Sequence, residues 1–476
     1  MVASWHDELD VDMVTDVDEA FSRISTGNVQ ADSILGGGYP ANSLNIVMGQ
    51  PGTGKTIFAE QLLFHNARQA SAGRPLLYLT TLSEPMSKVV SYAQRLGFFD
   101  VDQIGTNVLY DDLGSRLSAA GPAALVPIVL EMIKQQSPSI IVIDSFKAVH
   151  DLSESTVAMR RIVSDLAGVL SAYDVTAFLL GEYTQENIES YPEFAVADSI
   201  VQLERSILGT RDERYIRVLK LRGSGYREGQ HAFRITQNGL KVFPRLVTPS
   251  FETYSPSLER TRSGIDGLDA IVGGGFWRGT TTLLVGPTGS GKSTMGLQFV
   301  LEAVREGESA LFVNFQENPA QVDRMIRALG VDPEEAARRG FRHLYASPVE
   351  LQIDSVIGDI FGCIESETVR RVVIDAVGDL MTAASDPQRL HDFLYSLVQH
   401  FVVRNVTTVL NFESGTGNVT REHEQRWSYM SDNVVALGRP DSAGVSRTIR
   451  VIKTRNSAHD PAPHLMEIRV DGVHIL

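Results

Sequence analysis

Gly49-Gln50-Pro51-Gly52-Thr53-Gly54-Lys55-Thr56 follows directly on the apolar run Leu44-Asn45-Ile46-Val47-Met48. The octapeptide is G-x-x-x-x-G-K-[ST], set after an expected strand and before a helical stretch from about Lys55, the context in which the pattern means a phosphate-binding loop. Glycines let the backbone wrap closely enough for several N–H groups to converge on phosphate oxygens. The helix that follows adds its positive N-terminal end. Gly49, Gly52, Thr53 and Gly54 then form the cradle, Lys55 reaches the phosphates, and Thr56 offers a hydroxyl to Mg²⁺. The same pattern returns as Gly286-Pro287-Thr288-Gly289-Ser290-Gly291-Lys292-Ser293, with Thr294 next in its helix. Two matches, each between a strand and a helix, are far more specific than one.

Working outward, the chain repeats itself. Lys55 and Lys292 are 237 positions apart, as are the lead-ins Ile34-Leu35-Gly36-Gly37-Gly38 and Ile271-Val272-Gly273-Gly274-Gly275. Ile140-Ile141-Val142-Ile143-Asp144 matches Arg371-Val372-Val373-Ile374-Asp375 at an offset of 231, and Lys220-Leu221-Arg222-Gly223-Ser224 matches Lys453-Thr454-Arg455-Asn456-Ser457 at 233. Four correspondences in one order imply duplication. A polar stretch with Pro249 and Pro256 reads as a linker. The expected organisation is an acidic extension over 1–20, a first domain over 21–247, a linker over 248–257 and a second domain over 258–476.

Within the first half, apolar runs at Leu44–Met48, Leu76–Leu79 and Ile140–Ile143 alternate with helical stretches, one from Lys55 and one through Ala93. Short continuous apolar runs suit strands buried on both faces. The pattern predicts an α/β fold, with a mostly parallel sheet flanked by helices in each half. After Ala197 it becomes strand after strand through Val201, Ile216 and Phe233, which predicts antiparallel strands added at one sheet edge.

Composition sets bounds. A chain of 476 residues with 43% hydrophobic content is long enough for two domains, each with its own core. The formal net charge of −15 argues against a nucleic-acid partner. A single cysteine, Cys363, cannot form an internal disulfide and fits a reducing compartment. The N-terminus lacks the features of a signal peptide, and no apolar run approaches the roughly 20 residues that span a bilayer. A cytoplasmic location without a membrane partner is expected.

Asp144 and Asp375 each close an apolar strand downstream of a P-loop. A strand-end turn aspartate is the plain reading. With a P-loop upstream in each half, a role in holding Mg²⁺ is preferred.

These features together resemble the KaiC family of double-domain, RecA-like ATPases, over nearly the whole chain from about residue 20. The resemblance rests on the paired P-loops, the glycine-rich lead-ins, Phe315-Gln316-Glu317-Asn318-Pro319, the two Asp-ended strands and the Lys-x-Arg-[Gly/Asn]-Ser motifs. It implies ATP with Mg²⁺, bound between the subunits of a homo-hexameric ring. It also implies that Lys220 and Arg222, and Lys453 and Arg455, reach the neighbouring subunit's γ-phosphate as arginine-finger cations. Their alternating spacing would place both members of a pair on one strand face.

A catalytic base is expected from the end of the strand after the P-loop helix. Glu84 and Glu317 are the candidates, each also readable as a helix-start carboxylate. Active family members carry two adjacent glutamates, and this sequence has Ser83 and Gln316 at the first position. Slow hydrolysis follows. Alignment on Ser431-Asp432 puts Ser428 and Tyr429 at the family's neighbouring autophosphorylation positions, so Ser428 is the candidate phosphosite. The family's clock members carry a further tail gripped by the activator KaiA. This chain stops at Val473-His474-Ile475-Leu476, so a KaiA-type partner is not expected, although some protein partner is. The rival readings are a nucleotide-sensing scaffold with little hydrolysis and a RecA-type DNA-dependent ATPase.

Overall fold

The computed structural model describes residues 22–69, 74–82, 85–208, 211–349, 351–383, 387–414, 428–438 and 447–476. The chain separates into two compact units, Met1–Arg245 and Leu246–Leu476. Among the described residues, each unit is built on one nine-stranded sheet.

In the first unit the P-loop strand Leu44–Gly49 sits near the middle of its sheet. It pairs in parallel with Thr176–Gly181 on one side and with Ser199–Leu208 on the other. Beyond Thr176–Gly181 come Ile140–Asp144, Leu76–Thr80 and Val108–Asp112, all parallel. Beyond Ser199–Leu208 come Arg211–Leu221, His231–Thr236 and Gly239–Phe243, all antiparallel. The second unit repeats this order around Thr281–Gly286. The fold is therefore two tandem RecA-like domains with antiparallel strands at one edge.

One expectation needs correcting. The strand after Ala197 is parallel to the P-loop strand, and the antiparallel portion begins one strand later. A run of β-type sequence carries no strand direction. The short helix Pro192–Val196 returns the chain to the other end of the sheet before Ser199–Leu208 starts.

The central strands alternate between two cores, as period-2 side chains must. Val47 and Val142 enter the core with Phe58, Leu62 and Phe178, beneath the P-loop helix Lys55–Ala67. Ile46, Met48, Ile141 and Ile143 face the opposite core with Leu166 and Phe146. Both faces being covered explains why these strands read as unbroken apolar runs. In the second unit Leu284 and Val373 take one side, and Leu283, Val372 and Ile374 the other.

The lead-ins recur because they dock on the Lys-x-Arg motifs. Arg23 bonds the Gly38 carbonyl at 3.1 Å and Ser224 Oγ at 2.8 Å. Arg260 does the same with Gly275 O at 2.6 Å and Ser457 Oγ at 3.0 Å. A Cβ on Gly36 would lie 2.4 Å from Gly225 O, and one on Gly273 would lie 2.7 Å from Ala458 O, so glycine is required at both.

Candidate nucleotide sites

The P-loops turn from strand to helix through Gly54 (φ 101°) and Gly291 (φ 107°), left-handed positions that favour glycine. A Cβ on Gly49 would meet Leu203 O at 2.2 Å, and one on Gly286 would meet Ser290 Oγ at 2.7 Å. The helices Lys55–Ala67 and Lys292–Arg305 start without a side-chain cap, so their first N–H groups face the loop. Gly52, Thr53, Gly289 and Ser290 lie within the loops, and Thr294 lies in the first helical turn.

Each P-loop lysine folds back on its own loop. Lys55 Nζ donates to Gly49 O (2.9 Å) and Gln50 O (3.0 Å). Lys292 Nζ donates to Gly286 O (2.6 Å) and Pro287 O (3.0 Å). Burial pushes the Lys55 ammonium down, while Glu182 and Asp144 pull it back up. An incoming phosphate would replace the carbonyls with a full negative charge.

Thr56 and Asp144 come together as expected, with Thr56 Oγ1 donating to Asp144 Oδ2 at 2.8 Å. Tyr78 OH donates to the same oxygen at 2.6 Å. In the second unit Asp375 is 6% exposed, and among the described residues its Oδ2 has no hydrogen-bond partner. Burial pushes its carboxyl up, while the Ser293 hydroxyl and the Asn411 amide pull the other way. A buried carboxylate oxygen without a donor is what a hydrated cation satisfies, and hydroxyl with carboxylate is a hard oxygen set suited to Mg²⁺.

Glu317 is held by Asn314, whose amide reaches Glu317 O at 2.9 Å and Oε2 at 3.0 Å. Gln316 Nε2 lies 3.2 Å from Asp379 Oδ1. Ser83 and Glu84 lie outside the described residues.

The cation pairs gather at the opposite end of the sheet from their own P-loop. Lys220 Nζ donates to Phe194 O and Ala195 O at 3.2 Å each, and Arg222 Nη2 to Ala195 O at 3.4 Å. Lys453 Nζ donates to Ser428 O and Ser431 O at 2.7 Å each, and Arg455 Nη2 to Tyr429 O at 3.0 Å. Burial and the adjacent arginine both push Lys220 and Lys453 down. The ladder skips a residue beside Lys220 and beside Lys453, and the strands end at Leu221 and Thr454, one residue before each arginine. Lys220 and Arg222 share the Ala195 carbonyl, whereas Lys453 and Arg455 reach different carbonyls of the segment Ser428–Ser431.

Sequence reasoning missed Glu182 and Glu413. Glu182 lines the first cleft with Lys55, Thr56, Asp144 and Lys147, and Glu413 accepts from Thr288 Oγ1. The signal was available, since Glu182 directly follows one apolar strand and Glu413 closes its counterpart, at the same offset of 231 that links Asp144 and Asp375.

A protein-family model described as "ATPase: KaiC" matches residues 24–247 and again 261–476. The chain belongs to the KaiC ATPase family. Both P-loops, both Asp-ended strands and both Lys-x-Arg motifs fall inside the matched repeats. The circadian clock oscillator protein KaiC of Rippkaea orientalis is 28% identical over 462 residues, covering 93% of this chain and 86% of that protein. KaiC 1 of a Synechocystis species is 27% identical, covering 93% and 87%. KaiC2 of the same organism is 26% identical, covering 97% and 83%. This is a KaiC-like, ATP-binding chain. Among the described residues no helix is long and apolar enough to cross a membrane.

Proposed function

We propose that this KaiC-family chain is a slow, Mg²⁺-dependent ATPase whose two sites, in domains over 21–247 and 258–476, are completed by a neighbouring copy in a homo-hexameric ring. The supporting observation is the placement of the cations. Arg222 N bonds Asp198 O and Asp198 N bonds Leu44 O, which sets Arg222 level with the start of the P-loop strand. Arg455 is level with Thr281 by the same two bonds through Asp432. Five residues of strand, about 16 Å, separate that level from Gly49 or Gly286. Such cations serve a phosphate on another subunit.

In this reading the P-loop amides and Lys55 or Lys292 bind the phosphates. Thr56 with Asp144, and Ser293 with Asp375, would hold Mg²⁺, which supplies charge neutralisation between the β and γ phosphates. Glu84 and Glu317 orient the attacking water, and Lys220/Arg222 and Lys453/Arg455 stabilise charge on the transferred group. Slowness follows from Ser83 and Gln316, neither of which accepts a proton as a carboxylate does. Ser428 lies beside the second cation pair through its carbonyl bond to Lys453, which keeps it as the candidate phosphosite.

The ring is read as a cytoplasmic nucleotide-gated switch sensed by a protein partner. A scaffold with little hydrolysis is the second reading, favoured by the same Ser83 and Gln316. Light scattering with and without Mg·ATP, combined with released-phosphate assay, tests the proposal. ATP-promoted hexamers with slow turnover support it. A monomer indifferent to ATP overturns it, and hexamers without turnover support the scaffold.

A further inference from the structure

Glu193 is fully buried in the first unit, on the short helix Pro192–Val196. Two groups hold its carboxylate. His150 Nδ1 lies 3.0 Å from Oε1, and Tyr183 OH donates to the same oxygen at 3.1 Å. The imidazole stacks on Tyr191 at 3.8 Å between ring centroids. Burial pushes the carboxyl up, and His150 and Tyr183 draw it back down.

Both holders come from elements that line the subunit's own phosphate cleft. His150 lies in the last turn of the helix Phe146–Asp151, which begins directly after Asp144 and Ser145. Tyr183 follows Glu182, which lines the cleft and acts on Lys55. On its other side, Glu193 immediately precedes Phe194 and Ala195, whose carbonyls receive Lys220 and Arg222. These carbonyls near a helix C-terminus carry partial negative charge and lack helical partners, so the two cations follow wherever the helix is placed.

The second unit has no such cluster by sequence. Met381 stands six residues after Asp375, as His150 does after Asp144, and Ser414 follows Glu413, as Tyr183 follows Glu182.

We propose that Glu193 is a positioning residue that ties the Lys220/Arg222 pair, offered to the next subunit, to the phosphate cleft of its own subunit. The inference rests on the reading that Lys220 and Arg222 act on a neighbour's nucleotide. It makes the first ring of sites mechanically linked from one subunit to the next, and the second ring less so.

The test uses the full chain with the second P-loop silenced by Lys292→Ala, and measures phosphate release and binding of a fluorescent ATP analogue. Glu193→Ala and His150→Met are expected to lower kcat on the order of tenfold. Nucleotide affinity should stand, because the P-loop contacts remain. Glu193→Gln, which keeps an acceptor oxygen for Tyr183, should recover most of the rate. On a Lys220→Ala/Arg222→Ala background, Glu193→Ala should cost nothing further, because its effect runs through those cations. An equal cost on both backgrounds, or unchanged kcat in Glu193→Ala and His150→Met, overturns the inference. If Glu193→Ala fails to fold, His150→Met carries the same comparison. If Lys220→Ala/Arg222→Ala itself leaves hydrolysis untouched, the interfacial reading has failed instead.

Discussion

Arg222 stands level with Leu44, at the end of the sheet away from Gly49, where its own P-loop begins. Arg455 stands level with Thr281 in the same way. Duplication accounts for the repetition; what sets these cations apart is that each lies five strand residues from its own P-loop while bonding carbonyls of a short segment. Replacing Arg222 and Arg455 together by alanine should lower phosphate release by a factor of about 10² or more, since finger cations contribute at least that much. Equilibrium binding of Mg·ATP should change far less.

The base position offers a gain-of-function prediction. Gln316 Nε2 lies 3.2 Å from the Asp379 carboxylate. Gln316→Glu restores a carboxylate there and puts two acids in contact, so one of them titrates above the ordinary range. Hydrolysis by the second domain should rise on the order of tenfold. Its pH profile should gain an acidic limb above the usual carboxylate region. A released-phosphate assay across pH, in a chain with Lys55→Ala, reads both effects.

Asp375 sets stability against function. Burial raises its carboxyl pKa in the folded nucleotide-free protein. The folded state therefore holds the proton more tightly than the unfolded chain. That contribution is fully present below the ordinary carboxylate pKa and is lost as pH rises through the raised one. Above that raised pKa the ionised, desolvated carboxylate is a liability. Asp375→Asn should raise the melting temperature of the nucleotide-free protein by about 2–4 °C. It should also abolish the stabilisation that Mg·ATP gives the second domain. Thermal melts at neutral pH with and without Mg·ATP check both halves of the statement.

Arg371 supplies the stability prediction of opposite sign. Its guanidinium is buried and bonded to Glu308 Oε2 at 2.9 Å, to Arg262 O at 2.8 Å and to Glu306. Burial pushes the Glu308 carboxyl up, but Arg278 and Arg371 outweigh it and hold it below the usual range. The stability it contributes is present above the ordinary carboxylate pKa and is lost as pH falls through the depressed one. Arg371→Ala should cost the second domain about 3 kcal/mol by removing a buried, fully bonded guanidinium and leaving Glu308 with Arg278 alone. The loss should shrink on acidification. Urea unfolding at neutral and acidic pH measures this.

Much of the molecule was legible because its signals are local. The P-loops, Asp144 and Asp375 each declare themselves within eight residues, and duplication doubles every one of them. Buried parallel strands read as apolar runs, since both faces are covered. Direction was not legible, so Ser199–Leu208 passed as antiparallel. Arg371, a charged residue opening an apolar strand, carried no mark of its burial. His150, Tyr183 and Glu193 come from three elements and have no shared spacing, so only the fold brings them together. Glu182 and Glu413 were readable from the repeat offset and were missed because no motif pointed to them.

The central claim is that each site is built from two copies of the chain. Mixing two inactive full-length variants tests it directly: Lys55→Ala/Lys292→Ala, which lacks phosphate binding, and Arg222→Ala/Arg455→Ala, which lacks the fingers. In randomly mixed rings roughly a quarter of the interfaces combine an intact P-loop with an intact finger, so phosphate release should return to roughly a quarter of the wild-type rate. A mixture no more active than the sum of its separate components would contradict the account.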